Sequence, residues 1–142
     1  MSVENDCCYR SEFDDSESLL HAFEEASQVL LISSHSLGGI AVRQHQTAID
    51  SAKKAGVSRL LYTSQMFSSV TSHFPPMNVH AATDEMLKSS GMAFTSLRNG
   101  FYSASAMMWM GDASKTGAMI ASEDSPVAWT SRSDLADSDN PD

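Results

Sequence analysis

The chain has 142 residues, of which 42% are hydrophobic and 19% charged, and its net charge is −9 at neutral pH. This length and apolar content suit about one folded domain and exclude a disordered or fibrous protein. The acidic balance argues against a nucleic-acid ligand, whose phosphates would be repelled, and no apolar run is long enough to span a membrane.

Residues 1–15 form an acidic N-terminal segment with weak patterning. It begins MSVENDCCYR, which lacks the basic region and apolar core of a signal peptide. Cys7 and Cys8 are adjacent, and adjacent cysteines make a poor disulfide framework, so we expect a reducing, cytoplasmic location. The histidines of the chain show no zinc-ligand spacing, and we expect no metal site.

Three helical patterns follow within residues 16–110. Asp15 is the predicted N-cap of the first, because its carboxylate can accept backbone N–H groups of the first turn. The second pattern, GGIAVRQHQTAIDSAKKA, places alanines on one face and ends before Gly56. The third begins at Asn78, a candidate cap, and ends before Gly91, since glycine is the common helix stop.

Three short apolar runs separate these helical patterns, at residues 29–34, 59–64 and 92–97. Runs without polar alternation are typical of strands covered on both faces. Their alternation with helices predicts an α/β fold, with a parallel sheet between helical layers. Residues 111–142 are expected to form a partial C-terminal region that ends in a frayed acidic tail.

Polar residues follow each apolar run, at the carboxyl edge where open parallel sheets bind ligands. We therefore expect a ligand crevice there, formed by three groups of residues: Ser33, Ser34 and His35; Thr63, Ser64 and Gln65; Arg98, Asn99 and Gly100. Gly100 would admit a ligand close to the backbone. Phe101 and Tyr102 would offer a flat wall for a ring. The alternative is that these are ordinary turn residues.

Two long stretches, QHQTAIDSAKKAGVSRLLYTS and HAATDEMLKSSGMAFTSLRNGFYS, resemble the NmrA-like branch of atypical short-chain dehydrogenases/reductases. The nearest type is the NAD(P)H:quinone oxidoreductase. EFDDSESLLHAF and PVAWTSRSDLA are similar to two further segments of that family, so the resemblance covers roughly residues 9 to 136. It implies a Rossmann-like fold and an NADP or NAD cofactor.

The resemblance also implies roles for residues of the expected crevice. Ser33 and Ser34 would lie near the cofactor ribose and Thr63 near the nicotinamide. Asn99, Gly100 and Phe101 would line the nicotinamide ring or the substrate beside it. Ser64 or Tyr102 would steady charge that develops on a carbonyl or quinone oxygen.

Two histidines occur in the matching stretches. His80 lies near the place where the wider superfamily carries its catalytic tyrosine, so it is a candidate acid or base. The alternative is that it caps or packs its helix. His45 lies on the alanine-rich helical face and is interpreted as a packing residue.

Two departures from the family bear on activity. No G-x-G-x-x-G motif is present, and the first glycines are Gly38 and Gly39, so the pyrophosphate has no obvious seat. The match begins at the family's third strand and ends before its C-terminal substrate region. We therefore expect a Rossmann-like fold without its first βαβ unit. The strand at residues 29–34 is then an exposed edge, and the alternatives are that another copy or a partner protein covers it or that the chain is poorly soluble.

Three functions remain open at this point. The first is an NAD(P)-dependent oxidoreductase that reduces a quinone or an aromatic, polyketide-type carbonyl compound, in secondary metabolism. The second is a non-catalytic regulatory or binding module, and the third is an inactive fragment. The missing glycine-rich loop keeps the second and third alternatives open.

Overall fold

The computed structural model describes residues 11–118 and 127–139. These residues form two compact units that divide between Leu97 and Arg98. The adjacent Cys7 and Cys8 and the last residues of the acidic tail lie outside the described residues.

Helices and short strands alternate along the first unit. Its elements are α1 (Ser16–Ala22), β1 (Gln28–Leu31), α2 (Gly38–Ala55), β2 (Arg59–Gln65), α3 (Pro75–Ser90) and β3 (Ala93–Asn99), the last of which continues past Leu97 into the second unit. The three strands form one sheet in the order β1-β2-β3, and β1 pairs with β2 in parallel. The expected α/β architecture with a parallel sheet is confirmed.

The helix boundaries follow from local chemistry. The Asp15 carboxylate accepts the backbone N–H groups of Glu17 and Ser18, which confirms it as the N-cap of α1. Gly56 and Gly91 end α2 and α3 in the left-handed conformation, with φ of 80° and 75°. Both predicted helix stops are confirmed, because glycine adopts this conformation without a steric penalty.

The predicted start of α3 is wrong. The helix begins at Pro75 with Phe74 as its N-cap, so Asn78 lies inside the first turn rather than capping it. Proline is favoured at the first helical position because its missing N–H would have no partner there. Pro75 and Pro76 therefore form part of the first turn of α3. The predicted start at Asn78 would have placed both prolines before the helix.

The core of the first unit lies between β2 and the helices. Ile49, Leu60, Tyr62 and Leu87 are at most 1% exposed, and α2 packs against both α1 and α3. The alanines of α2 let these helices approach closely, since Ala41, Ala48 and Ala52 are almost fully buried.

The expectation that all three apolar runs are covered on both faces holds only for β2. Leu30 of β1 is 38% exposed, and Ala93, Thr95 and Arg98 of β3 are exposed as well. The reason is position, since β1 and β3 are the outer strands of this sheet. That another chain covers the β1 edge stays a prediction.

The predicted end of the third strand at Leu97 is also wrong, because β3 continues through Arg98 and Asn99. In the second unit, β4 (Phe101–Tyr102) pairs in parallel with β5 (Trp129–Thr130). This unit also contains α4 (Ser103–Thr116) and α5 (Arg132–Asp139).

Gly100 sits where β4 meets β5. Its N–H donates to the Thr130 hydroxyl over 3.1 Å, and the next N–H, of Phe101, donates to the Ala128 carbonyl over 2.8 Å. A Cβ at Gly100 would collide with that carbonyl oxygen and lie 2.6 Å from the Thr130 Oγ1 atom. The missing side chain therefore lets two backbone segments of the same unit meet.

We predict that Gly100→Ala destabilises the second unit by about 1–3 kcal/mol, because the added methyl group overlaps backbone that cannot yield. Hydrogen exchange of the Phe101 amide measures the effect. Gly111→Ala is the matched control, since nothing lies within 4 Å of its Cβ position in α4. It should stabilise the helix by about 0.5–1 kcal/mol, and equal effects of the two variants would contradict this account of Gly100.

Candidate functional site

The carboxyl ends of β1 and β2 meet, as the sequence predicts. The Ser33 N–H donates to the Thr63 Oγ1 atom over 2.9 Å, and the Ser34 N–H donates to the His45 Nε2 atom over 3.0 Å. Three of the predicted cofactor residues are thereby brought together. The buried Ser34 hydroxyl has no hydrogen-bond partner in the part of the chain that the structure describes.

A cleft of about 430 Å³ runs along β1 and reaches these residues. Its apolar walls include Phe13, Leu30 and Ile32, and Ser33 and Ser34 stand among its polar lining. A largely apolar cleft with a few polar groups at one place is the usual form of a small-molecule site.

His45 lies behind this edge and is fully buried. Its Nδ1 atom is 2.8 Å from the Thr83 hydroxyl, which itself donates to the Val79 carbonyl over 2.9 Å. Burial lowers the pKa of His45 to about 4, aided by the repulsion that would arise if both His45 and His80 were protonated. The imidazole is therefore neutral at physiological pH, which its role as an acceptor requires.

His80, the predicted acid or base, is tied to a tyrosine that the sequence did not single out. Its Nδ1 atom is 2.8 Å from the Tyr62 hydroxyl, and the two rings lie 5.8 Å apart. Burial lowers the pKa of His80, an effect that the carboxylate of Asp84 opposes. Burial also raises the pKa of Tyr62 to about 12, so both groups are neutral near pH 7.

Ser64, the predicted catalytic hydroxyl, donates to Asp84 rather than projecting into solvent. Asp84 is 4% exposed and accepts hydroxyl groups from Ser96 over 2.7 Å, Ser64 over 3.3 Å and Ser68 over 3.4 Å. These donors come from β3, from β2 and from the loop after β2, so the carboxylate fixes three segments near the carboxyl edge.

The sequence contained a partial signal for this buried cluster. His80, Thr83, Asp84 and Leu87 follow the three- and four-residue spacing of one helical face. Three polar residues on a face that also carries a core leucine indicate polar partners within the protein. The partners themselves, Tyr62 and His45, come from other elements, and no spacing in the sequence connects them.

The remaining predicted residues belong to the second unit. Asn99 is 7% exposed, and Gly100 packs against Ala128 and Thr130 as described above. The Phe101 ring meets that of Trp129 edge to face at 6.3 Å. The Arg132 guanidinium lies over the Tyr102 ring, 5.8 Å from its centre.

Comparison with known proteins identifies the family of this chain. Residues 8–138 match a family that is described as NAD(P)H-binding. The chain belongs to this NAD(P)H-binding family. The expected NADP or NAD cofactor is thus confirmed at the level of the family.

Two curated relatives are similar to this chain in sequence. The chain is 35% identical over 128 residues to quinone oxidoreductase 2 of Escherichia coli, covering 89% of this chain and 44% of that protein. It is 31% identical over 131 residues to the NmrA-like family domain-containing oxidoreductase flvB of Aspergillus flavus, covering 88% and 42%. The chain therefore spans less than half the length of these relatives.

Solved structures agree with the sequence comparison. The NADPH complex of the E. coli NADPH-dependent quinone oxidoreductase QOR2 superposes with a TM-score of 0.70 at 34% identity, over 77% of this chain and 38% of that one. The NADP(H) complex of Citrobacter sp. triphenylmethane reductase gives 0.66 at 29% identity, over 75% and 38%. The NmrA-like resemblance and the Rossmann-like fold are confirmed.

Within residues 11–118 and 127–139, no group of three or more metal-ligating side chains comes together. Among the described helices, none combines the length and apolarity that crossing a membrane requires.

The lowered pKa of His45 predicts an acid-dependent loss of stability. Between the unfolded pKa of 6.5 and the folded pKa of about 4, the unfolded state binds more protons, so the free energy of unfolding falls as the pH falls. His45 alone contributes a loss on the order of 3 kcal/mol across this window, and His80 adds to it with the same sign.

Urea denaturation of wild type and of His45→Gln, compared near pH 7 and near pH 4, measures the contribution of His45 to this loss of stability. We expect the variant to be less stable near neutral pH and to lose less stability on acidification. Ile49→Val is the control, since it removes a buried methylene from the same helix without removing a titratable group, and its slope should match wild type. An unchanged slope in His45→Gln would contradict the buried neutral imidazole.

Proposed function

We propose that this chain binds the nicotinamide end of NADPH or NADH and presents it to a quinone or to an aromatic, polyketide-type carbonyl compound. Membership of the NAD(P)H-binding family and the names of the quinone oxidoreductase and NmrA-like relatives support this proposal. A cytoplasmic location and a role in secondary metabolism belong to the same proposal.

The residues at the carboxyl edge fit a ribose and a nicotinamide amide. The unpartnered Ser34 hydroxyl offers a donor and an acceptor beside the cleft, and Ser33 is held next to Thr63. No G-x-G-x-x-G occurs in the sequence to cradle the pyrophosphate. The proposal is therefore confined to the nicotinamide half of the cofactor.

The cofactor, when bound, supplies a hydride, and the chain's own residues orient the acceptor and exclude water. A quinone that takes up one hydride and one proton becomes a hydroquinone, so the protein has to deliver a proton to one oxygen. In our proposal, Tyr102 donates a hydrogen bond to that oxygen, and Asn99, Gly100 and Phe101 line the ring. Ser64 and His80 are buried within the first unit, so we propose that they act through the residues around them rather than by direct contact with the substrate.

The observation that carries the substrate proposal is the absence of charge after β1 and β2. Residues 26–42 and residues 60–83 contain no Asp, Glu, Lys or Arg, although 19% of the whole chain is charged. Both stretches include the connections that leave the carboxyl edge. A carboxylate or phosphate that lies against these two connections has no counter-ion in them, whereas a neutral ring needs none.

The same connections expose large apolar side chains. Phe67 is 82% exposed, Val70 is 70% and Phe74 is 47%, all after β2. Phe67 also has a φ of 60°, a strained conformation for an aromatic residue. Strained residues cluster at functional sites, so we propose that this ring contacts the substrate.

A non-catalytic binding module is the second candidate. Residues 1–142 contain no G-x-G-x-x-G, and a chain that does not bind a pyrophosphate through such a loop fits this candidate. Such a module would bind a partner protein and would show no turnover. Cofactor affinity of the full 142-residue chain separates the two candidates.

Calorimetric titration of the chain with NADPH and with NADH tests the cofactor site. We expect binding, and we expect Ser34→Ala to weaken it about tenfold through the loss of one hydrogen bond. Ser58→Ala is the matched control, because Ser58 is exposed beside the amino end of β2. No heat with either cofactor at millimolar concentration would overturn the oxidoreductase proposal in favour of the binding module.

Binding of a neutral naphthoquinone and of its sulfonated, anionic analogue tests the substrate class. We expect the neutral compound to bind more tightly and Phe67→Asn to weaken its binding about tenfold, because the ring contact is lost. Asparagine tolerates positive φ, so this variant keeps the loop conformation. Thr71→Ala, in the same loop, should have no effect. Tighter binding of the sulfonate would contradict the proposal.

A further inference from the structure

Two consecutive backbone amides at the end of β1 are held by side chains from different elements. The Ser33 N–H donates to Thr63 of β2, over 2.9 Å, and the Ser34 N–H donates to His45 of α2, over 3.0 Å. Neither bond belongs to the sheet ladder, in which the described pairing of β1 ends at Leu31. The conformation of this segment therefore depends on these two acceptors.

The hydrogen bonds around His45 allow one arrangement of protons. A backbone N–H can only donate, so the Nε2 atom that faces Ser34 carries no proton. The Thr83 hydroxyl donates its single proton to the Val79 carbonyl. Its oxygen therefore accepts a hydrogen bond from the Nδ1–H group of His45, 2.8 Å away. The imidazole is thus neutral, with its proton on Nδ1.

We infer that His45 is a positioning residue, whose neutral Nδ1–H tautomer locks the Ser33–Ser34 backbone of the proposed ribose site to α2 and α3. This inference rests on the proposed function, which places the cofactor ribose at Ser33 and Ser34. It assigns to His45 a task that its alanine-rich helical setting did not indicate.

The surroundings of His45 favour this neutral form. The rings of Tyr62 and Phe13 meet it edge to face, at 5.5 Å and 6.1 Å. The charged and titratable groups on α3 are His80, Asp84, Glu85 and Lys88. Of these, His80 disfavours protonation of His45, because two protonated imidazoles would repel each other. Protonation of Nε2 would also set two donors against each other at Ser34, so the lock holds only with the neutral ring.

The tautomer can be read directly in the wild-type chain. Nitrogen-15 spectra of the full-length protein at neutral pH should show His45 protonated at Nδ1 and unprotonated at Nε2. A proton on Nε2, or a doubly protonated ring, would overturn the inference without any variant having to fold.

Two amide variants separate positioning from packing. The acceptor oxygen of His45→Gln reaches about as far as Nε2, whereas that of His45→Asn reaches only about as far as Nδ1. We expect the Ser34 amide of His45→Asn to exchange about 10- to 100-fold faster than in wild type, and His45→Gln to stay close to wild type. NADPH affinity should follow the same order, with about a tenfold loss in His45→Asn.

Thr83→Ser and Thr83→Val form a second pair that leaves the imidazole in place. The serine variant keeps the acceptor for Nδ1–H and should match wild type in Ser34 exchange, whereas the valine variant leaves this buried N–H without an acceptor and should speed Ser34 exchange. If His45→Asn and His45→Gln change Ser34 exchange equally, or if Thr83→Val leaves it unchanged, the positioning role is wrong.

The controls keep this inference apart from the proposed function. Ile49→Val removes one buried methylene from the same helix and should leave the Ser34 exchange and the NADPH affinity unchanged. If wild type shows the expected tautomer and exchange pattern but binds no NADPH, the proposed function fails while the lock stands. If NADPH affinity is unchanged in His45→Asn, the cofactor site does not depend on the lock and the inference fails.

Discussion

A buried neutral imidazole joins the parts of the first unit that the proposed site requires. His45 accepts the Ser34 amide and meets the Thr83 hydroxyl, so it links the end of β1 to α2 and α3. Both ring nitrogens have hydrogen-bond partners, so the imidazole can be completely buried without an unsatisfied polar atom. A Ser34 N–H that was buried without an acceptor would destabilise this conformation by about 1–3 kcal/mol. The segment after β1 would then favour conformations that expose the N–H to water.

The buried polar cluster and the apolar carboxyl edge have separate tasks. Tyr62, His80 and Asp84 are at most 7% exposed, so they hold strands, helices and the loop after β2 in place rather than meeting a ligand. The groups available to a ligand lie outside them, in connections that carry exposed apolar side chains and no formal charge. Such a layered arrangement, with a rigid polar support beneath an apolar contact layer, suits the orientation of a neutral ring against a nicotinamide.

Local chemistry made much of the fold predictable. Asp15, Gly56 and Gly91 act through their immediate neighbours, and the apolar run of β2 indicates a central strand without further context. Arg98 as part of β3 was not predictable in this way, because a polar residue within a strand depends on tertiary packing. The start of α3 was open to prediction from Pro75, since proline favours the first helical position, but the sequence interpretation placed the cap at Asn78. The role of Gly100 could not be predicted from local sequence either. Its role depends on Ala128 and Thr130, which lie far along the chain.

The predicted site residues also divide into those whose placement follows from the sheet topology and those whose surroundings depend on tertiary packing. Ser33, Ser34 and Thr63 came together because the ends of neighbouring parallel strands must share an edge. The environment of Ser64 and His80 was not predictable, because their partners Asp84 and Tyr62 are selected by the packing of α3 on β2. Burial lowers the pKa of His80 and raises the pKa of Tyr62, and neither effect can be read from composition or spacing.

The central claim is that the ends of β1 and β2 form the cofactor-facing edge of this unit. Amide chemical-shift changes on titration of the isotope-labelled chain with NADPH test it most directly. The account predicts that the largest changes fall on Ser33, Ser34 and Thr63, with smaller changes along the β1 cleft. Changes that concentrate instead on the exposed face of α2 and α3, or at the amino ends of the strands, would contradict it.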